Sequence, residues 1–187
     1  MSRALLVIDV QNEYFAGGAL PITHPVDSLK RITDAMDGAA EAGIPIVLIQ
    51  HGTEAADATA FKKGTRGWQI RPEVDFRKRA AVIEKTMPGA FTGTDLEAWL
   101  KKNGVDTLVI AGYMTQMCCD TTARQAVHLG YRVEFLSDAT GTLDLSNEAG
   151  SVKAEELHRA ILVTQQARFS KVLSVADWVS SVGVSQA

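Results

Sequence analysis

Apolar residues fall in short runs along the chain: LLVIDV at 5–10, IPIVLIQ at 44–50, AAVIE at 80–84, DTLVIAG at 106–112, YRVEFL at 131–136 and AILVTQ at 160–165. Within each run the apolar positions are consecutive rather than alternating, as in strands buried on both faces. The runs alternate with helix-like segments. Such alternation implies an α/β domain with a parallel sheet and right-handed crossovers, here predicted to have six strands.

The intervening segments carry end signals. Thr94 with Glu97 three residues on reads as a capping box before LEAWLKKN, with Gly104 closing that helix. Gly43 closes a helix over 27–42, and Gly130 closes one from about Met117, whose Ala123, Ala126 and Val127 form a small-residue face for packing on a sheet. Ser174 and Asp177 start a last helix running through Trp178. The segment from His51 to Arg79 is long, holds Gly52, Gly64, Gly67 and Pro72, and has no clear internal order. Long loops in compact domains are often functional. No repeat, low-complexity tract or linker interrupts the pattern, so residues 1–187 read as one domain.

Composition narrows the function classes. The chain has 187 residues, 46% hydrophobic and 22% charged, an ordinary globular balance with length enough for a full core. A net charge of -3 gives no basic field for phosphate binding, which disfavours a nucleic-acid partner. The uncharged stretch Thr107 to Cys119 is 13 residues and contains Gly112, Thr115 and Gln116, too short and polar to span a bilayer. At the N-terminus, Asp9 interrupts the apolar run before a signal-peptide core is complete, so a cytoplasmic protein is expected. The two cysteines, Cys118 and Cys119, are adjacent and suit neither a disulfide framework nor a zinc site.

In open parallel sheets ligands bind beyond the carboxyl ends of the strands. Asp9, Lys85 and Cys118 all fall at such ends. A cysteine at a helix start meets unpaired N–H groups and the positive end of the dipole, which favour thiolate and could also hold an oxyanion. A nearby carboxylate can move the thiol proton and an ammonium can keep both in register, although the carboxylate also opposes thiolate formation. Taken singly, each residue also has a plain reading: Asp9 as a turn residue, Lys85 as a solvated charge, Cys118 as a small core side chain.

The motifs LLVIDVQNEYF from Leu5, KTMPGAFTGTDLEAWL from Lys85 and LVIAGYMTQMCCDTTARQAVHLGYRVEFLSDA from Leu108 occur in this order across nearly the whole chain. By them the chain resembles the isochorismatase-like cysteine hydrolases, which include nicotinamidases and carbamoylsarcosine amidohydrolases. The resemblance implies a three-layer α/β/α fold of Rossmann-like type with a six-stranded parallel sheet, and an Asp-Lys-Cys triad carried onto Asp9, Lys85 and Cys118. Cys118 is the matching cysteine because the family nucleophile stands three residues after the Thr at 115 and four before the Thr at 122. Cys119 falls where a small apolar residue is usual and is read as packing. A non-proline cis peptide is implied between Tyr113 and Met114, with the N–H groups of Met114 and Cys118 forming the oxyanion hole.

Departures from the family pattern bear on substrate. Nicotinamidases place an Asp-x-His metal site after strand 2, whereas this chain reads Ile49, Gln50, His51, followed by Glu54 and Asp57 without a second histidine. No metal or other cofactor is expected. Gln11, Phe15, His51, Trp68, Phe91 and Thr115 are the candidate substrate-binding residues. Arg77, Lys78 and Arg79 read as a solvated face. Isochorismatases that cleave a vinyl ether often lack the cysteine, so Cys118 favours attack on an amide or carbamoyl carbon of a small-molecule substrate. Ether hydrolysis is the alternative enzyme reading, and a non-catalytic ligand-binding or thiol-switch protein the alternative of another class. Relatives assemble, so a homodimer or homotetramer is expected.

Overall fold

A computed structural model of the chain describes residues 2–183. The main sheet contains β1 (Arg3–Ile8), β2 (Ile46–His51), β3 (Ala81–Lys85), β4 (Thr107–Tyr113), β5 (Arg132–Gly141) and β8 (Lys171–Leu173) in the order β3-β2-β1-β4-β5-β8. All its pairings are parallel. A small antiparallel hairpin, β6 (Leu145–Asn147) with β7 (Gly150–Val152), stands apart from it.

The consecutive apolar positions follow from a sheet covered on both faces. Along β1, Leu5 and Val7 enter one core with Ile32, Met36 and Trp178, while Ala4, Leu6 and Ile8 enter the other with Leu96, Leu100 and Ala123. The first core is roofed by α1 (Ser28–Glu41) and α6 (Val175–Val182) and takes Val74 from the short α2 (Pro72–Asp75); the second is roofed by α3 (Leu96–Lys102) and α4 (Asp120–His128). Only the edge strand β3 alternates, with Val82 and Glu84 exposed.

Ser174 caps α6 by accepting from the Asp177 N–H, and Gly43, Gly104 and Gly130 take the left-handed φ that follows α1, α3 and α4. Two sequence expectations need correction. Thr94 and Glu97 do not form a capping box: Asp95 precedes α3 without a side-chain cap, while the Thr94 hydroxyl donates to the Ala90 carbonyl and accepts from the Leu96 N–H. The run at 160–165 is not a strand. It lies in α5 (Ala154–Thr164) and the start of the π-helical turn Gln165–Phe169, and the sixth strand is β8. The buried positions of this helical stretch are Ala154, His158 and Gln165, so polar side chains occupy its inward stripe and hide the helical period behind a short apolar run.

The order of strands places the chemistry. From β1 the chain winds outward through β2 to β3, then returns to the other side of β1 as β4. The crevice between the carboxyl ends of β1 and β4 is therefore the topological switch point of the sheet, where such folds hold ligands.

Candidate active site

Asp9 follows β1 directly and adopts a left-handed backbone, φ 52°, unusual for any residue but glycine and least costly for Asn and Asp. Its N–H still donates to the Ile49 carbonyl at 2.9 Å, so the strand is broken only after the ladder to β2 is complete. On the other side, Gly112 of β4 lies opposite Ile8. A Cβ at Gly112 would stand 2.0 Å from the Ile8 carbonyl oxygen, and its φ is 119°. Only glycine lets the two backbones approach this closely at the switch point.

Beyond Gly112 the Tyr113–Met114 peptide is cis, as the family resemblance implied. A π-helical turn, Thr115–Cys119, then leads into α4, and the Met114 carbonyl accepts from the Met117 and Cys119 N–H groups at 3.1 and 3.2 Å. Cys118 thus emerges on the turn after β4, and Lys85 ends β3.

These residues meet. The Lys85 Nζ lies 2.7 Å from Asp9 Oδ2 with both side chains fully buried, and donates to Cys118 Sγ at 3.3 Å. The contact with Asp9 is an ion pair, the Cys118 thiol is the other side chain acting on the carboxylate, and no backbone N–H among the described residues donates to it. A buried carboxylate served by a lysine and a thiol alone, without backbone donors, is costly to keep.

Burial raises the Asp9 pKa, opposed by the charge of Lys85. For Lys85 burial acts downward, but the charge of Asp9 and the contacts with Asp9 and Cys118 outweigh it, and the ammonium is held. The Cys118 thiol is pushed well up, first by burial and then by the Asp9 charge, against the pull of Lys85. At rest the sulfur is a thiol. The favourable helix-start position invoked from sequence is overridden because Cys118 is nearly closed to water and beside a carboxylate. Cys119 is wholly buried in the core on the α3 and α4 side, consistent with packing.

Of the six candidate substrate contacts, His51 is brought to the cluster. It pairs with Lys85 across β2 and β3, and its Nδ1 lies 3.3 Å from Lys85 Nζ. Burial and then the Lys85 charge lower its pKa, and because an ammonium can only donate, the facing Nδ1 accepts. Phe15 packs edge-on to Tyr113 at 5.8 Å, beneath the Arg71 guanidinium. The Trp68 indole N–H is buried without a hydrogen-bond partner among the described residues and lies where a Cβ on Gly52 would stand.

Gln11, Thr115 and Phe91 are engaged within the fold. Gln11 is fully buried and both ends of its amide are used: Nε2 donates to the His51 and Trp68 carbonyls, and Oε1 accepts from the His51 N–H. It fastens the His51 to Arg79 segment to the end of β1, with both Nε2 protons used. Thr115 turns its hydroxyl to His158 Nδ1 at 2.8 Å and is fully buried. The Phe91 ring stacks on Tyr131 at 6.0 Å, before the amino end of β5 and away from the carboxyl-end crevice.

Sequence reasoning missed Glu13. Its buried carboxylate accepts from the Ala19 and Phe61 N–H groups, and a Cβ at Gly67 would lie 2.0 Å from its Oε2. The close Gly67 was the available signal. Among the described residues no group of three or more His, Cys, Asp or Glu is placed to hold a metal ion, and His51 Nδ1 already faces Lys85. A cavity of about 260 Å³ between Ala40, Ile44 and Arg79 opens at the amino end of β2, the opposite end of the sheet from this cluster.

The family model described as Isochorismatase domain matches residues 3–177. The chain belongs to the isochorismatase family. This isochorismatase-family hydrolase is 36% identical to the uncharacterized isochorismatase family protein YddQ of Bacillus subtilis, over 92% of this chain and 96% of that one. It is 32% identical to nicotinamidase 3 of Arabidopsis thaliana, over 86% and 78% of the two chains. Its fold superposes on the crystal structure of an isochorismatase-type protein from Burkholderia xenovorans with a TM-score of 0.94 and 46% identity, covering 97% of this chain and 88% of that one.

Proposed function

We propose that this family member is a metal-independent cysteine hydrolase that cleaves an amide or carbamoyl C–N bond of a small molecule. The observation that carries the reading is the single ammonium of Lys85 in contact with both a buried carboxylate and a buried thiol. In the first step the Asp9 carboxylate takes the Cys118 proton as Sγ bonds to the carbonyl carbon. The N–H groups of Met114 and Cys118 receive the oxyanion. Collapse breaks the C–N bond, and Asp9 returns the proton to the leaving nitrogen, giving a thioester and a free amine or ammonia. Water then adds to the thioester with Asp9 again taking a proton, releasing the acid and restoring the thiol. Lys85 keeps its charge throughout and holds Asp9 and Cys118 in register.

A raised thiol pKa suits this sequence, because the proton leaves only as the carbon–sulfur bond forms. His51, Phe15 and Trp68 are assigned to substrate, and the closed site calls for a small one. The chain is read as a cytoplasmic homodimer or homotetramer without nucleic-acid or membrane partners. No helix among the described residues is long and apolar enough to cross a membrane, and the half-exposed Met117 and Leu129 suit subunit contact.

The test is ammonia release from a panel of small amides by the native protein and by Cys118→Ala. Turnover by the native protein and none by the variant is expected. Undiminished turnover in the variant sinks the nucleophile assignment. Vinyl-ether cleavage that survives the substitution favours the ether hydrolase, and ligand binding without any turnover favours the binding protein.

A further inference from the structure

The π-helical turn that carries Cys118 is fastened at both ends by one other segment. At its start, the Thr115 hydroxyl meets His158 Nδ1 at 2.8 Å, and His158 Nε2 meets the Ser137 carbonyl at 2.9 Å. A carbonyl can only accept, so Nε2 carries the proton, Nδ1 is the acceptor and Thr115 donates. The Ser137 carbonyl lies in a stretch where β5 departs from β4: Ile110 pairs with Phe135, but Gly112 pairs with Thr140. Just beyond the turn's end, Gln165 Nε2 donates to Asp120 Oδ1 at 2.7 Å, while Gln165 Oε1 accepts from the Ser170 hydroxyl at 2.6 Å.

His158 and Gln165 are two helical turns apart on α5 and its π-helical continuation Gln165–Phe169, which places them on one face. Both are buried, and each is hydrogen-bonded on two sides. Arg124 strengthens the far end, donating to Asp120 Oδ2 at 2.8 Å with its guanidinium 4.4 Å above the Phe169 ring. Polar side chains in the buried stripe of a helix are expensive unless they fix something, and here their partners lie three residues before and two after Cys118.

We propose that His158 and Gln165 are positioning residues that clamp the Cys118 turn, holding its sulfur at Lys85 and keeping Cys119 turned into the core. Neither touches the reacting atoms. The inference rests on the proposed role of Cys118, and its test needs no substrate. Loosening either end lets the turn shift, and a misplacement of about 1 Å at a reacting centre can cost about a hundredfold in rate.

The experiment is alkylation with iodoacetamide, with peptide mapping to read the ratio of label on Cys118 to label on Cys119. It is run on the native protein, His158→Ala, Gln165→Ala and His158→Asn, whose side-chain oxygen can still accept from Thr115. Leu100→Ala, in the α3 core, controls for general destabilisation. The native protein is expected to label Cys118 first. His158→Ala and Gln165→Ala should each lower the ratio at least about fivefold further than Leu100→Ala, and His158→Asn should stay within about twofold of native. Ratios no lower than the control, or His158→Asn as low as His158→Ala, overturn the clamp while leaving Cys118 as nucleophile. Native label on Cys119 first instead overturns the nucleophile reading and the clamp with it. Should His158→Ala not fold, Gln165→Ala decides alone.

Discussion

The two ends of β1 each carry an ion pair, and the pairs are built to different ends. At the amino end, Arg3 meets Glu134 with two parallel hydrogen bonds of 2.9 and 2.8 Å, and the Trp178 indole adds a third to the same carboxylate at 2.9 Å. At the carboxyl end, Asp9 has a 2.7 Å ion pair with Lys85 and meets the Cys118 thiol, with no backbone donor among the described residues, on a left-handed backbone. The first carboxylate has its lone pairs engaged and ties β1, β5 and α6 together. The second keeps acceptor capacity in reserve beside a thiol. A buried ion pair by itself says little about function. What separates structure from chemistry here is whether the carboxylate's remaining lone pairs are already engaged.

The sharpest way to break this contrast is to remove one charge from each end. Asp9→Asn should lower kcat/KM for any amide the protein turns over by roughly 10³ to 10⁴-fold, since it removes the proposed acid and base. Glu134→Gln should leave turnover within about threefold and cost about 2 kcal/mol of stability, because the half-buried Arg3 loses its bidentate partner. Steady-state kinetics and urea denaturation on both variants read the two effects. Equal catalytic losses at both ends would erase the distinction.

Gly112→Ala attacks the architecture of the carboxyl end instead. The added methyl would meet the Ile8 backbone, which cannot yield as a flexible side chain would. A loss of about 3 kcal/mol is expected, measured as a drop in the urea midpoint. Any folded remnant should have lost turnover too, because Asp9 and Cys118 both hang from the junction that Gly112 closes. A native-like midpoint would show that β1 and β4 need not approach so closely.

The state of the sulfur sharpens the comparison next. With burial and the Asp9 carboxylate raising the thiol pKa, the alkylation rate of Cys118 should climb with pH and reach no plateau at or below the ordinary thiol value of 9.0. In Asp9→Asn the curve should shift to lower pH, since a negative neighbour is gone. A native plateau near neutrality would mean that Lys85 outweighs Asp9 and that the resting nucleophile is a thiolate.

How far the chain could be read in advance follows the same division. Strands β1, β2 and β4 announce themselves because both faces are covered and their central positions are consecutively apolar. Asp9, Lys85 and Cys118 could be singled out because each stands where an apolar run ends. The failures cluster where polar side chains are used inside the protein. Gln11 and Thr115 look like pocket residues in sequence, yet their hydrogen bonds are spent on the backbone of His51 and Trp68 and on His158. His158 and Gln165 line the inner face of a helix and so disguise it as a strand. Residues distant in sequence set those partners, and no local pattern records them.

His158 supplies the smallest test, since it belongs with the satisfied groups although it lies close to the cysteine turn. Burial holds its pKa down at about 4, against an unfolded value near 6.5. Between these two pH values the unfolded chain takes up a proton there that the folded chain refuses. The stability that His158 contributes is therefore complete above about pH 6.5 and drains away as the pH falls towards 4. Asp9 acts in the opposite sense, because its raised pKa lets the folded state bind a proton more readily than the unfolded one. The two are separated by comparing the urea midpoints of the native protein and His158→Asn across that range. The native protein should lose stability on acidification with a slope up to one proton steeper than the variant. Parallel curves would mean that His158 is protonated in the fold, and that Thr115 cannot be donating to its Nδ1.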